Sequence, residues 1–357
     1  MKNSIFVSVL IVALTVGAYA GCKSEQASAI AQSGSGASAK STKSNGSATT
    51  GDVPADPQGR NFTFNYGASI NQVPNGAKVR VWFPIAKSSA QQKISQTVTE
   101  VPGELKTNQD KKYLNDIGFF EVESDATPIQ FAIGYQVQRA EASVENVAAG
   151  LSDAEKANFL TANSLVPIDG KPQEQFGDLK LPAESMAAGE EIYNLVEEHM
   201  KYDKSQPGYG NGDAAWACDS RTGNCTDFHS LFISLARSNS IPARFEIGFP
   251  LPADKTEGKI GGYHCWAWFF AQGKGWAPVD ISEADKHPEL KDFYFGKLTA
   301  DRIAFSTGRD IELVPKSASG PLNYFVYPHV EVDGEVWPKE KIALEFSFKD
   351  QKSGSIQ

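Results

Sequence analysis

The chain has 357 residues, of which 22% are charged and 41% hydrophobic, and its formal net charge is −9 at neutral pH. Acidic and basic residues are mixed throughout with no basic stripe or patch, which excludes nucleic acid as an expected partner. Outside Cys22 there are three cysteines, Cys218, Cys225 and Cys265, an odd number that leaves at least one thiol unpaired. The simplest arithmetic keeps Cys225 free, with Cys218 and Cys265 either bonded to each other or buried.

Lys2 and the apolar run of residues 5–16 make a short basic start and a hydrophobic segment too brief to span a bilayer as a mature helix. This pattern predicts an export signal over residues 1–21. Ala18-Tyr19-Ala20 suits ordinary cleavage after Ala20. Ala20-Gly21-Cys22 resembles a bacterial lipobox, with Tyr19 where that motif usually carries Leu, and implies lipidation of Cys22. Either route places the protein in the cell envelope or periplasm, and the second adds a membrane anchor. Residues 22–60 are rich in Ser, Ala, Gly, Lys and Thr, a composition that cannot bury enough surface to offset ordering, so they read as a flexible linker.

Residues 61–145 alternate apolar with polar side chains in FTFNY, AKVRVWFPI, QKISQTVTEV, GFFEVES and PIQFAIGYQVQ, separated by turn signals such as Pro74-Asn75-Gly76 and Pro102-Gly103. They predict a small β-sandwich domain that packs on the downstream domain. In the next region, residues 146–315, Ser152 stands three residues before Glu155 and predicts a capping-box helix. A stronger helix is expected in ESMAAGEEIYNLVEEHMKY, where Ala188, Ile192, Leu195, Val196 and His199 share one face. His199 there reads as a packing residue at the helix end. SQPGYGNGDAAWACDSRTGNC is glycine-rich and polar, and reads as a loop that shapes a site. It lacks the Gly-Lys-Ser/Thr ending of a phosphate loop. Residues 316–357 read as closing strands and a tail, with His329 structural.

The chemistry begins at Cys225. Phe228, Leu231, Phe232, Leu235 and Ala236 come after it at helical spacing, and Asn224 and Asp227 suit a helix start, so Cys225 sits at a helix N-terminus. There the positive dipole end favours a thiolate, and an unpaired N–H can meet a developing oxyanion. In YHCWAWFF, alternation sends His264, Trp266 and Trp268 to one face and Cys265, Ala267 and Phe269 to the other, so His264 and Cys265 are not expected to face Cys225 together. Gly273-Lys274-Gly275 then turns the chain into WAPVDIS, and a hairpin there brings Asp280 beside His264. A thiol, an imidazole base and a carboxylate that orients the base form a working nucleophilic set.

With GNCTDFHSLFISLARSNSIPARFEIGF, GGYHCWAWFF and GWAPVDIS in this order, the stretch from about residue 202 to about residue 310 resembles the transglutaminase-like superfamily of cysteine enzymes, in particular its bacterial exported members. The resemblance implies an α+β fold in which a nucleophile helix packs on an antiparallel sheet, with Cys225 as nucleophile, His264 as base and Asp280 as its orienter. It implies no cofactor and no metal. An upstream aromatic residue such as Trp216 would line the acyl pocket or assist the oxyanion, and Arg244 would serve structure. Papain-like enzymes share the chemistry but place their histidine much further downstream. The implied activity is acyl transfer from an amide of a protein or peptide substrate through a thioester. Hydrolysis is favoured over crosslinking, because many prokaryotic relatives are protease-like and no calcium loop of the D-x-D-x-D-G kind is present. The competing reading is a non-catalytic envelope binding module in which Cys218 and Cys225 are joined as a disulfide. A zinc site built from the three cysteines and a histidine fails on spacing.

Overall fold

Period-two alternation in the first third of the described chain is matched by strands, and period-3.6 apolar stripes in the middle by helices. The computed structural model describes residues 59–144 and 150–351. The expected export signal, the Cys22 lipidation site and nearly all of the linker lie outside the described residues, as does the end of the tail.

The chain opens with β1 (Gly59–Ile70), β2 (Lys78–Ile85), β3 (Gln92–Glu100), β4 (Lys106–Gln109), β5 (Asp116–Glu123) and β6 (Ile129–Ala140). A mostly helical stretch comes next, with α1 (Asp153–Leu160), α2 (Lys171–Phe176), α3 (Ser185–His199), β7 (Lys201–Tyr202), α4 (Ala214–Ser220), β8 (Thr222–Gly223) and α5 (Cys225–Ser238). Then come β9 (Ala243–Pro250), β10 (Glu257–Lys259), β11 (His264–Ala271), β12 (Gly275–Val279), α6 (Ile281–Lys286), α7 (Lys291–Tyr294) and β13 (Arg302–Thr307). The last strands are β14 (His329–Val332), β15 (Glu335–Val336) and β16 (Ile342–Asp350).

Two five-stranded antiparallel sheets, ordered β10-β16-β1-β6-β3 and β15-β14-β2-β5-β4, contain the N-terminal strands. The C-terminal strands complete both: β16 pairs with β1 along its length, and β14 with β2. The N-terminal strands therefore do not close a sandwich by themselves, and the described residues belong to one compact unit. A four-stranded antiparallel sheet, β12-β11-β9-β13, holds His264 at the start of β11 and Arg302 at the start of β13. Tyr66 of β1 packs against Phe83, Phe249, Phe305 and Phe346, and so joins all three sheets. Each fully buried aromatic of this kind contributes about 1.5–3 kcal/mol relative to exposure, so the two five-stranded sheets brace the four-stranded one.

Ser152 and Glu155 make the expected reciprocal cap of α1. The glycine-rich segment, expected to be loop throughout, is not, because α4 forms within it. The side chain of Asp213 accepts from the backbone N–H groups of Ala215 and Trp216, and the Ala-Ala-Trp-Ala run after it is helix-compatible. The glycines on either side had masked this short helical run.

Gly248 of β9 lies opposite His264 in register, and a Cβ placed there would fall 1.8 Å from the backbone oxygen of Ile303. Gly261 has open space around the same position. Gly248→Ala should therefore displace β13 and lower stability by at least about 1–3 kcal/mol, while Gly261→Ala should stay within about 0.5 kcal/mol of wild type. Urea unfolding of both variants checks this, and equal midpoints would refute it.

Candidate active site

Cys225 is the first residue of α5, and its position is set by the residues around it. Asn224 caps the helix by accepting from the Thr226 N–H, and Asp227 returns the bond to the Asn224 N–H at 2.9 Å. The Asp227 carboxylate also accepts from the N–H groups of Gly210 and Gly212, at 2.7 and 2.9 Å, so one side chain caps the helix and pins the glycine-rich loop over it. Gly212 has φ +62°, and a side chain there would meet Thr226, Ser230 and Arg309. Arg309 is fully buried, and it holds the same loop from behind by donating to the carbonyls of Asn211 and Gly212 and to Ser230.

His264 opens β11, and β12 returns antiparallel to it with Ala267 opposite Val279. Asp280 comes next, where the chain leaves the sheet and caps α6. Its Oδ2 lies 2.8 Å from His264 Nε2. With Asp280 ionised, Nε2 carries the proton and donates, which leaves Nδ1 for the thiol. The hairpin thus delivers the carboxylate–imidazole pair that its spacing predicted. Asp280 is fully buried and has further donors: Arg302 from β13 at 2.8 Å, the Ser282 hydroxyl and the Glu283 N–H. The Arg302 guanidinium lies 4.9 Å from the Trp266 ring centroid.

Burial alone would push the Cys225 thiol up, but hydrogen bonds with Cys265 and His264 and the positive charge of His264 hold it well below its ordinary value. Burial would likewise lower His264, yet the charge and hydrogen bond of Asp280 and the nearby Cys225 push it up to about 10. Asp280 is held well below the usual carboxylate range, against its burial, by His264 and Arg302. The directions of these shifts favour a thiolate and an imidazolium for the pair, with the carboxylate ionised behind them. His229, buried on α5, is driven the other way by burial, to about 4, and is neutral.

Cys225 borders a cleft of about 370 Å³, lined also by Tyr202, Tyr209, Tyr263, Tyr324, Tyr327 and Lys204. The Tyr263 hydroxyl lies 2.9 Å from Thr226 Oγ1 and accepts from the Asn224 side chain, tying the cleft wall to the helix cap. Trp216 does not line this cleft, contrary to expectation. It belongs to α4, and its indole packs over the Gly208 turn.

Cys218, Cys225 and Cys265 are all free and buried, so neither a Cys218–Cys265 nor a Cys218–Cys225 disulfide is formed. Cys218 donates instead to Gln175 at 3.1 Å. The expectation that His264 and Cys265 could not both face Cys225 is also corrected. As the first residue of β11, His264 can swing its ring towards the helix N-terminus from the strand end, while Cys265 faces α5 directly. Arg244 lies over the rings of Trp268 and Trp276, a packing role as expected. His199 meets the Cys218 carbonyl at the end of α3.

Sequence reasoning gave no role to Arg302, Cys265 or the tyrosines. The signal available for Arg302 was a lone cation opening an apolar strand, RIAFS. For Tyr263 it was direct adjacency to His264. Among the described residues, His264, Asp280 and Glu283 place ligand-type atoms within 4.8 Å of one another. His264 and Asp280 hydrogen-bond each other, and Glu283 pairs with Lys286.

Residues 178–281 match the family model of the transglutaminase-like superfamily, a span that contains Cys225, His264 and Asp280. An uncharacterized protein of Haemophilus influenzae is 32% identical over 211 residues, covering 50% of this chain, and the chain spans 57% of that relative's length. The crystal structure of a candidate cysteine protease from Cytophaga hutchinsonii superimposes with a TM-score of 0.51 at 15% identity, over 83% of this chain and 99% of that one. The periplasmic domain of TgpA from Pseudomonas aeruginosa aligns with a TM-score of 0.35 at 14% identity, over 65% of this chain and 90% of that one.

The pairing has a pH signature. His264 is raised above its ordinary 6.5, so its contribution is complete below 6.5 and is lost as pH climbs towards about 10. Cys225 is lowered below its ordinary 9.0, so its contribution is complete above 9.0 and is lost as pH falls. Between 6.5 and 9.0 the folded ion pair and the unfolded neutral pair hold the same number of protons. The stability difference between wild type and a Cys225→Ala/His264→Gln variant should therefore be flat across that window and shrink on both sides. A steady slope through the window, measured by urea unfolding, would count against the ion pair. Arg302→Met leaves the buried Asp280 without its guanidinium and should cost about 3–5 kcal/mol, read by the same unfolding assay.

Proposed function

We propose that this chain, which carries a transglutaminase-like domain, is a thiol enzyme that hydrolyses an amide bond of a protein or peptide through a Cys225 thioester. The observation that carries the reading is the buried set of Cys225, His264 and Asp280, with His264 hydrogen-bonded to Asp280 and Cys225 bordering a tyrosine-lined cleft.

The thiolate attacks the carbonyl carbon, and the carbonyl oxygen takes up negative charge. At the first position of α5 the Cys225 N–H has no intrahelical partner and can donate to that oxygen, with the helix dipole in support. The imidazolium of His264 gives its proton to the departing amine, which leaves an acyl–sulfur bond and a neutral imidazole. His264 then takes a proton from water as it attacks the thioester, and collapse releases the acid and restores the thiolate. Asp280 keeps the Nε2 proton in place, so that Nδ1 does the proton transfer throughout. Five tyrosines offer apolar faces and hydroxyls to an extended peptide, and Lys204 adds a cation at the rim. The mixed acidic surface suits such a substrate and not nucleic acid. The N-terminal signal pattern supports export to the cell envelope, with Cys22 as the lipid attachment point.

The test supplies the enzyme with a set of fluorogenic peptide amides, with and without a labelled primary amine, and traps the acyl-enzyme with hydroxylamine. Cys225→Ala and His264→Ala should abolish the trapped species, and Asp280→Asn should slow turnover by about 10³–10⁴-fold. Turnover that survives Cys225→Ala would sink the proposal. Stoichiometric incorporation of the labelled amine in place of acid release would make the enzyme a crosslinker.

A further inference from the structure

The cleft beside Cys225 is lined by a single charged side chain, Lys204, and by no carboxylate. Backbone pairing sets where that lysine stands. β7 runs parallel to β8 with Tyr202 beside Gly223, and the Asp203 N–H donates to the Gly223 carbonyl at 3.0 Å. Gly223 is two residues before Cys225, so Lys204, the residue after Asp203, leaves this pairing next to the helix start that carries the thiol. The Tyr202 N–H donates to the Asp285 carboxylate at 2.8 Å, a second anchor for the same short strand. The Lys204 ammonium lies 5.5 Å from the Tyr202 ring centroid and has no carboxylate partner among the described residues. Asp203, its neighbour in the chain, accepts from the N–H and the hydroxyl of Ser205 instead. Lys286, the other cation on the Tyr202 ring, is already paired with Glu283. Elsewhere in the cleft the tyrosine hydroxyls are largely committed: Tyr263 to Thr226, Tyr324 to the Gly210 carbonyl and Tyr327 to the Tyr263 N–H.

We propose that Lys204 is a specificity-determining residue that receives a carboxylate of the substrate close to the scissile amide, so that the preferred substrates are peptides acidic at that point. The inference rests on the thiol-enzyme reading above and adds its substrate class. A chain of net charge −9 repels anions at long range. A cation without a counter-ion in the cleft reverses that locally, and no acidic side chain lines the cleft to compete for it. An ammonium offers N–H donors only, and a carboxylate is the peptide group that meets them with charge-assisted hydrogen bonds. A basic residue at the same place would be repelled, and a neutral amide would gain a weaker bond. The carboxylate is that of an Asp or Glu side chain or of the end of the peptide, since both bring the same charge and the same acceptors.

The full chain is given matched pairs of internally quenched peptides that differ only by Glu against Gln at one position around the cleaved bond, and further pairs that end in a free carboxylate or an amide. The readout is the ratio of kcat/KM within each pair, so a general loss of activity in a variant cancels. Wild type should favour the acidic member of one pair by about fivefold at low salt, and the preference should shrink as salt screens it. Lys204→Met should bring that ratio close to one, Lys204→Glu should invert it, and Lys204→Arg should keep it. A response confined to the internal pairs makes the carboxylate that of an acidic residue, and one confined to the terminal pairs makes it the chain end. Ratios near one for wild type in every pair, or a preference that survives Lys204→Glu, overturn the inference and leave the thiol enzyme standing. Absence of Cys225-dependent turnover of every peptide overturns both.

Discussion

A buried charge pair must be held by its surroundings, and this constraint organises the catalytic part of the molecule. Thiolate and imidazolium are both unfavourable in a dry interior, and each survives here because the other is adjacent and because further groups are arrayed behind them. Asp280 steadies the imidazolium, and Arg302 together with the α6 cap steadies Asp280. The positive end of α5 sits beside the sulfur. Removing any outer member leaves an inner one poorly solvated, so the chain must supply a cation from β13, a cap from α6 and a helix end from α5 at one point.

That requirement explains the load carried by the surrounding sheets. Arg302 reaches Asp280 only because β13 pairs with β9, and β9 with β11, and the close approach of β13 to β9 at Gly248 needs a residue without a side chain. The aromatic cluster around Tyr66 and Phe249 ties this sheet to the two five-stranded sheets, so strand pairs far from the thiol brace the register that positions it. On the other side of the site, Asp227 and Arg309 fasten the glycine-rich loop, leaving the cleft between that loop and the Tyr324–Tyr327 wall.

Much of the site was legible because its chemistry is local. Cys225 precedes an apolar helical stripe and comes directly after a capping residue, and His264 and Asp280 flank a short hairpin whose turn is written in glycine. These are properties of a few neighbouring residues, and local hydrogen bonding enforces them. α4 was missed because one good cap and four helix-compatible residues outweigh the glycines around them. Trp216 was assigned to the pocket because an aromatic residue upstream of a nucleophile is a natural wall, yet the direction of a helical side chain depends on what the helix packs against. The reading of β11 separated His264 from Cys265 by strict alternation, which holds within a strand and loosens at its first residue, where the backbone is no longer paired on both sides.

The sequence by itself determined most of the strand and helix pattern, the cysteine at a helix start and the imidazole–carboxylate hairpin, since each depends on periodicity or on residues close together in the chain. Only the tertiary structure decided that C-terminal strands complete the N-terminal sheets, that Arg302 is the cation behind Asp280, that Tyr324 and Tyr327 wall the cleft, and that Cys265 meets α5 at Thr226 and His229. Each of these joins residues distant in sequence through strand pairing and core packing. Their relative placement is settled by burial across the whole fold, which no local pattern records.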